Sequence, residues 1–508
     1  MLTEPLWRAE DLGKPIPDSP HAVSVCLPRW ADVIGYEERE PRVIDRMRTG
    51  YPRFFYHPAC CQLFADYERL SGVDGGKCLV FPSRAAAERC AAYVHHRGEH
   101  AEVWARRESE DPTDLHAVCV ALSGYELAKE YWRHTGEGIS SRMAERHIDG
   151  DGSREDGAGP EVEAGEDGAQ HAGRVKSQLR RRIAEIVAAR VEDVWLFPTG
   201  MAALFTLHRS LRSHRPEARS VQFGFPYVDT LKVLQKFGCG AHFYPRGSAD
   251  ELAEFEARLA RQAIAGIFTE VPANPLLGTP DLARLVDAAR ERDVPLVIDD
   301  TIATSLNVNV LEMGDALCTS LTKYFSGVGD VAGGCIVLNR HGPRYALLRE
   351  TLSDLYEDLM DEADAAVLER NSADFVQRMP VINTNARRLA EFLHEHPKLE
   401  KVYYPLFQTP ERYRAVRRRG GGYGGLVSIV LRGGPSAAAR FYDHLRLCKG
   451  PSLGTNYSLV CPYPMIAHYK ELDFVESCGV PRCLIRISVG LEQSQHLIDT
   501  VAAALDAV

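Results

Sequence analysis

The chain has 508 residues, more than one hydrophobic core usually holds, so we expect two or three domains. Its apolar content of 45% and charged content of 26% are those of a globular protein, and no run of about 18 apolar residues could span a membrane. The 70 acidic and 60 basic side chains give a net charge of −10, which argues against nucleic acid as a partner.

The N-terminal sequence indicates a protein of the cytoplasm. "MLTEPLWRAEDLGKPIP" has neither the basic start nor the apolar core of a secretory signal peptide. Thirteen cysteines are spread along the chain without a CxxC pair, and an odd number is expected where thiols stay reduced. We predict no metal site. Residues 1–148 are interpreted as an N-terminal extension with weak helix and strand signals.

An acidic segment follows this extension. Residues 149–173 contain eight acidic side chains, one arginine, many glycines and no aromatic residue. Such a composition buries too little apolar surface to offset the entropy lost on ordering. We therefore predict a disordered insertion at 149–174.

From residue 175 onward, apolar strand-like runs alternate with helix-like segments, which predicts an α/β domain with a mainly parallel sheet at 175–385. After residue 386, the runs "LVSIVLRGG" and "LIRISVGLE" favour a smaller α+β domain that extends to residue 508. In parallel sheets, ligands bind at the carboxyl ends of the strands.

An aspartate lies at such a strand end, and a lysine follows it in a turn. Asp299 ends the apolar run "VPLVID", and Lys323 follows 24 residues later in "SLTKYFSGVGDVAGG". A buried carboxylate needs a partner, so Asp299 is either a helix cap or ion-pair member, or the partner of the pyridine nitrogen of pyridoxal phosphate. In the second interpretation, Lys323 is the Schiff-base lysine.

A pyridoxal phosphate site also requires residues that bind the phosphate. In "PTGMAALF" (198–205) a glycine turn leads into an apolar helix, whose N–H groups at Gly200 and Met201 would hold an anion. Ser320 and Thr322 would add hydroxyl donors.

Five motifs in the same order resemble the cystathionine γ-synthase family, the Cys/Met-metabolism branch of fold type I pyridoxal-phosphate enzymes. The motifs are "TGMAA" (199–203), "EVPANPLL" (270–277), "VIDDT" (297–301), "SLTKY" (320–324) and "RISVGLE" (486–492). The ordered match covers about residues 175–508. The resemblance implies a seven-stranded, mainly parallel sheet with helices on both faces, and pyridoxal 5′-phosphate as the cofactor.

The resemblance also implies roles for individual residues. Lys323 is similar to the family's Schiff-base lysine, which also moves protons, and Asp299 to the carboxylate at the pyridine nitrogen. Arg486 is similar to the arginine that binds the substrate α-carboxylate, and a guanidinium fork suits that group.

Four further residues complete the implied site. Tyr227 resembles the tyrosine that stacks on the cofactor ring and takes part in catalysis, and Asn274 the residue bonded to the cofactor's phenolic oxygen. Ser452 resembles the serine that orients the lysine. Tyr457 stands where many relatives have a glutamate, so we expect it near the distal end of the substrate.

The family also carries a Tyr-x-Arg arm that reaches the phosphate of a neighbouring subunit. "YPRFFYHP" offers Tyr51 and Arg53, which we favour, and "YWRHTGEGISSRMAE" (131–145) offers Tyr131, Arg133 and Arg142 as the alternative. The placement is ambiguous because "GGKCLVFPSRAAAERC" (75–90) is similar to "VEDVWLFPTGMAALFT" (191–206). The stretch around Tyr51 resembles the long, N-terminally extended branch of the family.

The implied activity is a γ-replacement on an O-activated L-homoserine (O-succinyl, O-acetyl or O-phospho) with L-cysteine, which gives cystathionine for methionine biosynthesis. Related enzymes are the alternatives: an O-acylhomoserine sulfhydrylase, a lyase, or an enzyme that adds a carbon nucleophile. A non-catalytic binding protein is a further alternative. The resemblance implies amino-acid substrates and a homo-oligomer, at least a dimer and in the family a dimer of dimers.

Overall fold

The computed structural model describes residues 4–72, 75–106, 114–155 and 166–508, with the backbone alone at 150–155 and 166–172. Among these residues, no helix is both long and apolar enough to cross a membrane.

The N-terminal segment, residues 4–50, covers part of the C-terminal domain. Its elements are a 3₁₀ turn (Ala9–Asp11), β1 (Pro15–Ile16), β2 (Ser24–Val25), α1 (Trp30–Glu37) and α2 (Pro41–Ile44). Leu27 N donates to Lys449 O (2.9 Å), and Tyr442 Oη donates to Leu27 O (2.8 Å). These bonds hold the segment beside the loop that follows residue 449.

A small accessory domain follows, with three antiparallel strands in the order β3–β5–β4. Its elements are α3 (Pro58–Ser71), β3 (Lys77–Phe81), α4 (Arg84–His95), β4 (Ala101–Ala105), β5 (His116–Val120) and α5 (Leu122–Thr135). The repeated motif has a structural counterpart. Ser83 caps α4 through Ala86 N (3.1 Å), as Thr199 caps the helix after "FPTG" through Ala202 N (3.0 Å).

Helices reach into the range 149–174, where we predicted disorder. They are α6 (Ser141–Glu155) and α7 (Glu166–Val187), and residues 156–165 lie outside the described part of the chain. Both helices are anchored in the core beyond this range, at Ala144 and Leu179. Adding a residue to an existing helix costs far less than nucleating one, which accounts for the difference.

The large domain contains the predicted seven-stranded sheet, in the order β6–β12–β11–β10–β9–β7–β8. The strands are β6 (Val194–Phe197), β7 (Arg219–Phe223), β8 (Ala241–Tyr244), β9 (Ile264–Glu270), β10 (Leu296–Asp299), β11 (Ala316–Ser320) and β12 (Gly334–Leu338). All neighbours are parallel except those of β12, which is antiparallel to both β6 and β11. A mainly parallel sheet is thus confirmed.

Helices connect and cover these strands. They are a 3₁₀ turn (Val191–Asp193), α8 (Gly200–His214), α9 (Val228–Lys236), α10 (Ala249–Leu259), α11 (Leu282–Glu291), α12 (Tyr345–Leu355), α13 (Glu362–Asn371) and α14 (Phe375–Glu395). Helix α14 continues through the boundary that we placed between residues 385 and 386, so the large and C-terminal domains share it.

The C-terminal domain has a five-stranded sheet in the order β13–β14–β17–β16–β15, in which only β15 and β16 pair in parallel. Its strands are β13 (Leu399–Tyr403), β14 (Leu426–Leu431), β15 (Cys448–Lys449), β16 (Leu459–Cys461) and β17 (Ile485–Ser488). Its helices are α15 (Pro405–Gln408), α16 (Pro410–Val416), α17 (Gly434–His444), α18 (Tyr463–Ala467), a 3₁₀ turn (Tyr469–Glu471), α19 (Leu472–Ser477) and α20 (Ser494–Asp506). This is the smaller α+β domain that the sequence predicted.

Candidate active site

A cavity of about 610 Å³ lies where the large domain, the C-terminal domain, the N-terminal segment and α5 of the accessory domain meet. Its volume falls within the range of roughly 300–1,000 Å³ that is usual for small-molecule sites. Asp299 at the end of β10, Lys323 in the turn after β11 and Arg486 of β17 all line this cavity. Of the three, Asp299 is the one that the sequence placed at a strand end.

Lys323 is buried at the base of the cavity, in the turn between β11 and β12. Its Nζ donates to Ser452 Oγ (3.0 Å) and Tyr51 Oη (3.3 Å). Burial lowers the pKa of this amine, and Tyr51 opposes the shift in part. The cavity therefore holds an amine that gives up its proton more easily than a surface lysine does, which suits a base.

The loop that carries Ser452 has an unusual backbone. Ser452 has a φ of +88°, which is rare for a residue with a side chain and costs on the order of 1–3 kcal/mol. Its Oγ accepts from Lys323, and its carbonyl oxygen accepts from Arg486 Nη2 (2.9 Å). Gly454, at φ +74°, lets the loop come close, because a Cβ there would lie 2.9 Å from Lys323 Cβ. The strained loop thus connects two charged groups of the site.

Two buried carboxylates lie side by side on adjacent strands. Asp299 of β10 is in register with Glu270 of β9, and it accepts a hydrogen bond from Thr301 N (2.8 Å). Burial raises the pKa of Asp299 to about 6, and burial followed by the Asp299 charge raises that of Glu270 well above its usual range. Glu270 Oε1 accepts from Tyr227 N (2.5 Å), whereas its Oε2 is buried with no partner among the described residues. This corner favours a proton donor or a cation.

The N-terminus of α8, in contrast, favours an anion. Thr199 Oγ1 caps the helix at Ala202 N, which leaves the N–H groups of Gly200 and Met201 without an intrahelical acceptor. Ser320 packs against the same turn, since a Cβ on Gly200 would lie 2.9 Å from Ser320 Cβ. This corner of the cavity therefore offers N–H and hydroxyl donors to an anion.

Thr322 lines the cavity but uses its hydroxyl within the protein. The hydroxyl accepts from Gly333 N (3.0 Å) and contacts Gly333 O (3.3 Å). It therefore links the turn that carries Lys323 to the start of β12. Of the two predicted hydroxyl donors, Ser320 is the one that lies next to the Gly200 turn.

Arg486 is held by three neighbours. Nη1 donates to Asn274 Oδ1 (3.1 Å), Nη2 donates to Ser452 O, and the guanidinium lies 4.6 Å from the centre of the Tyr463 ring. Asn274 thus orients the arginine in addition to lining the cavity. Sequence reasoning missed Tyr463, which "CPYP" gave no reason to single out.

Arg53 is the centre of a buried network beside Tyr227. Its Nη1 donates to Asp229 Oδ2 (2.7 Å) and Arg133 O (2.6 Å), and its Nη2 donates to Tyr227 Oη (2.5 Å). His134 Nδ1 lies 2.9 Å from Asp229 Oδ1. Burial alone would raise the pKa of Asp229, but Arg53 and His134 outweigh it and hold that pKa below its usual range. Sequence reasoning missed Asp229, although it lies only two positions after Tyr227.

We expect Arg53→Met to destabilise the enzyme by about 3–5 kcal/mol, because Asp229 would stay buried without its cation. Urea unfolding at saturating cofactor measures the loss. The double variant Arg53→Met/Asp229→Asn should regain part of it, since the uncompensated charge is gone. A loss of unfolding free energy below about 1 kcal/mol, as for a surface ion pair, would contradict the stabilising role of the buried Arg53–Asp229 pair.

The predicted arm lies elsewhere than expected. Tyr51 and Arg53 reach the cavity of their own chain, whereas we expected them at the cofactor of a neighbour. The accessory domain lies between Tyr51 and Gly200 in the chain, and its helix α5 packs on α8 and α9 of the large domain. The arm therefore gives no argument for a dimer.

The three residues of the alternative arm lie in three different places. Tyr131 is buried in the accessory domain and donates to Glu137 (2.6 Å), and Arg142 pairs with Asp364 (2.9 Å), both outside the cavity lining. Arg133 alone lines the cavity.

The structure does not bring Tyr457 to the cavity, which corrects the expectation of a substrate contact. Its ring packs with apolar residues of the N-terminal segment and β15, and its hydroxyl, next to Gly329, is buried without a partner among the described residues. The segment 4–50, absent from the motif comparison, covers this face and buries the ring.

The cavity fits a phosphorylated aldehyde on a pyridine ring. It has an anion corner at Gly200, a carboxylate corner with an unsatisfied oxygen at Glu270, and a buried amine at Lys323. Together with the mainly parallel sheet, these features define a pyridoxal-phosphate-dependent enzyme.

The chain belongs to the Cys/Met metabolism PLP-dependent enzyme family, whose model matches residues 169–506. The N-terminal domain of fungal trans-sulfuration enzymes matches residues 59–140, which correspond to the accessory domain. The protein is therefore a cystathionine γ-synthase-like enzyme, and its cofactor is pyridoxal 5′-phosphate.

Several relatives match almost the whole chain. A cystathionine gamma-synthase of Neurospora crassa is 36% identical over 97% of this chain and 98% of its own length. A cystathionine gamma-synthase-like enzyme of Amanita muscaria is 34% identical over 98% and 96%. An alanine racemase of Aspergillus violaceofuscus is 30% identical over 100% and 98%, so related chains have different activities.

Solved structures are similar to about two thirds of the chain. The crystal structure of metB from Corynebacterium glutamicum is similar with a TM-score of 0.57 and 27% identity, over 65% of this chain and 84% of that one.

Proposed function

We propose that this enzyme replaces the γ-substituent of an O-activated L-homoserine, with L-cysteine as the nucleophile and cystathionine as the product, a step of transsulfuration toward methionine. The observation that carries the proposal is the buried Lys323 amine, whose loop partner Ser452 also holds Arg486. A base and an α-carboxylate binder in one cavity suit α-proton removal from an amino acid. The similarity to a cystathionine gamma-synthase over 97% of the chain supports the choice of reaction.

Bound pyridoxal phosphate supplies an electron sink for the charge left when a proton departs from the substrate. Arg486 binds the substrate α-carboxylate, and Asn274 and Ser452 keep the guanidinium in place. Lys323, whose pKa burial lowers, removes the proton from Cα and then moves protons at Cβ. Because the γ-oxygen leaves from the carbon next to Cβ, one amine that reaches both carbons can serve the whole sequence.

The remaining cavity residues would hold the cofactor. Gly200, Met201 and Ser320 would bind its phosphate with N–H and hydroxyl groups. Asp299 would be the partner of the pyridine nitrogen, and a cation there would offset the burial that raises the pKa of Asp299. Tyr227, whose hydroxyl accepts from Arg53, would contact the ring.

Product analysis by mass spectrometry tests this proposal. The holoenzyme receives O-succinyl-, O-acetyl- or O-phospho-L-homoserine, each with and without L-cysteine. Cystathionine formed only with cysteine supports the proposal and identifies the leaving group. If cysteine gives no cystathionine, 2-oxobutyrate alone would indicate a lyase. Homocysteine on addition of sulfide would indicate a sulfhydrylase, and a γ-substituted product on addition of a carbon nucleophile would indicate a carbon–carbon-forming enzyme.

Tyr51→Phe is expected to make Lys323 easier to deprotonate. Burial would raise the pKa of Tyr51, but the charges of Lys323 and Arg53 outweigh it and lower that pKa to about 8. In return, Tyr51 raises the pKa of Lys323, so its removal should lower that pKa further. Only the neutral amine attacks an aldehyde. The pH at which half of the apoenzyme takes up the cofactor, measured by visible absorbance, should therefore be lower in the variant than in the wild-type enzyme.

Tyr56→Phe is the matched control, because Tyr56 packs on Phe64 and Trp132 away from Lys323. An unchanged midpoint in Tyr51→Phe, or an equal shift in Tyr56→Phe, would show that Tyr51 does not influence the lysine.

A further inference from the structure

The outer half of the cavity is lined by charged side chains, and most of them neutralise one another. The pairs are Lys129–Glu126 (2.7 Å), Lys232–Glu471 (2.7 Å) and Lys236–Glu130. Because these side chains are already neutralised by ion pairs within the protein, they attract a charged ligand only weakly.

Two half-buried residues of opposite charge in the cavity lining, Glu37 and Arg133, have no such partner among the described residues. Within the described parts of the chain, neither the Glu37 nor the Arg133 side chain makes an ion pair or hydrogen bond, and Arg133 Nε is buried without an acceptor. The Arg133 guanidinium lies 5.5 Å from the centre of the Phe54 ring, which fixes it at the wall. Burial raises the pKa of Glu37 to about 7, and the charges of Lys470, Arg133 and Arg39 oppose the rise.

Arg133, like the exposed lining cations Lys470 and Arg39, thus acts on Glu37 electrostatically without contact. The glutamate and Arg133 come from different parts of the fold, the last residue of α1 and the last turn of α5, and face the cavity that holds Lys323 and Arg486. A cation binder and an anion binder held apart match the two charges of an α-amino acid.

We propose that Glu37 and Arg133 form a second amino-acid subsite, which binds the nucleophile while Arg486 binds the homoserine ester. The α-carboxylate of the nucleophile lies on Arg133 and its ammonium on Glu37, so that its thiol is directed into the cavity. This inference rests on the proposed γ-replacement. The carboxylate of a succinyl leaving group would engage Arg133 alone and leave Glu37 unpaired, so a zwitterion accounts for both residues.

Three thiols that differ in one charge test the subsite: L-cysteine, 3-mercaptopropionate without the ammonium, and cysteamine without the carboxylate. At about pH 8, Glu37→Gln should raise the KM for cysteine roughly tenfold to a hundredfold and leave 3-mercaptopropionate unchanged. Arg133→Gln should raise the KM for cysteine and 3-mercaptopropionate by a similar factor and leave cysteamine unchanged. The KM for the homoserine ester should stay the same in both variants.

Arg84→Gln, which removes an exposed cation from the accessory domain, is the matched control and should leave all KM values unchanged. Wild-type selectivity among the three thiols in both variants would overturn the subsite while γ-replacement stands. A raised KM for the ester in Arg133→Gln would assign that arginine to the leaving group and also overturn it. If the wild-type enzyme forms no thioether from any of the three thiols, the proposed function fails, and this inference with it.

Discussion

Lys323→Ala is expected to reduce kcat for cystathionine formation by at least about 10³-fold. The Lys323 amine is the group that we assign to proton transfer at Cα and Cβ, and its loss leaves the Ser452 and Tyr51 hydroxyls without the donor from which they accept hydrogen bonds. The variant should also lack the visible absorbance of a cofactor joined covalently to the protein.

Lys401→Ala is the control for this experiment, because Lys401 is an exposed lysine of β13 and should keep full activity. Wild-type turnover by Lys323→Ala would contradict the assignment of the site as a whole. A thermal unfolding midpoint close to that of the wild-type enzyme would show that the variant is folded.

Arg486→Ala is expected to lower kcat/KM for the homoserine ester by about 10²-fold or more, mainly through KM. The guanidinium is the cation that Asn274 and Ser452 hold in the wall beside Lys323, so its loss leaves the α-carboxylate without its charged partner. Arg486→Lys should recover only part of the loss, because an ammonium cannot form the two parallel hydrogen bonds of the fork.

Steady-state kinetics with varied ester and saturating cysteine measure this effect. Arg482→Ala, an exposed arginine four positions earlier, should leave the KM for the ester unchanged. An unchanged KM in Arg486→Ala would show that another group binds the carboxylate.

The sequence predicted one part of the centre of the site from its position at the end of a strand. Asp299 was predicted at the end of an apolar strand, and ligands bind at such ends of parallel strands. The strand β11 was not predicted, and its parallel pairing with β10 is what brings the turn that carries Lys323 next to Asp299. Arg486 was predicted from a motif alone, since nothing in its local sequence indicates that β17 lies against the large domain.

Residues whose roles depend on distant contacts were harder to predict. Arg53 meets Asp229 across 176 positions of the chain, and no periodicity indicates such a pair. Tyr457 was placed in the site by its position in a motif, yet the N-terminal segment buries it. Glu37 lies in that same segment, where the sequence showed only weak signals. Contacts made by an added segment cannot be inferred from motifs of the shared core.

The most direct test of the central claim is to run the reaction with L-cysteine in ²H₂O and locate deuterium in the product. If the Lys323 amine moves protons at Cα and Cβ, and so exchanges them with solvent, cystathionine should carry deuterium at Cα and at least one at Cβ of its homoserine-derived half. Cystathionine without deuterium at Cβ would mean that the thiol displaces the γ-oxygen directly. That result would contradict the proposed γ-replacement chemistry of this cavity.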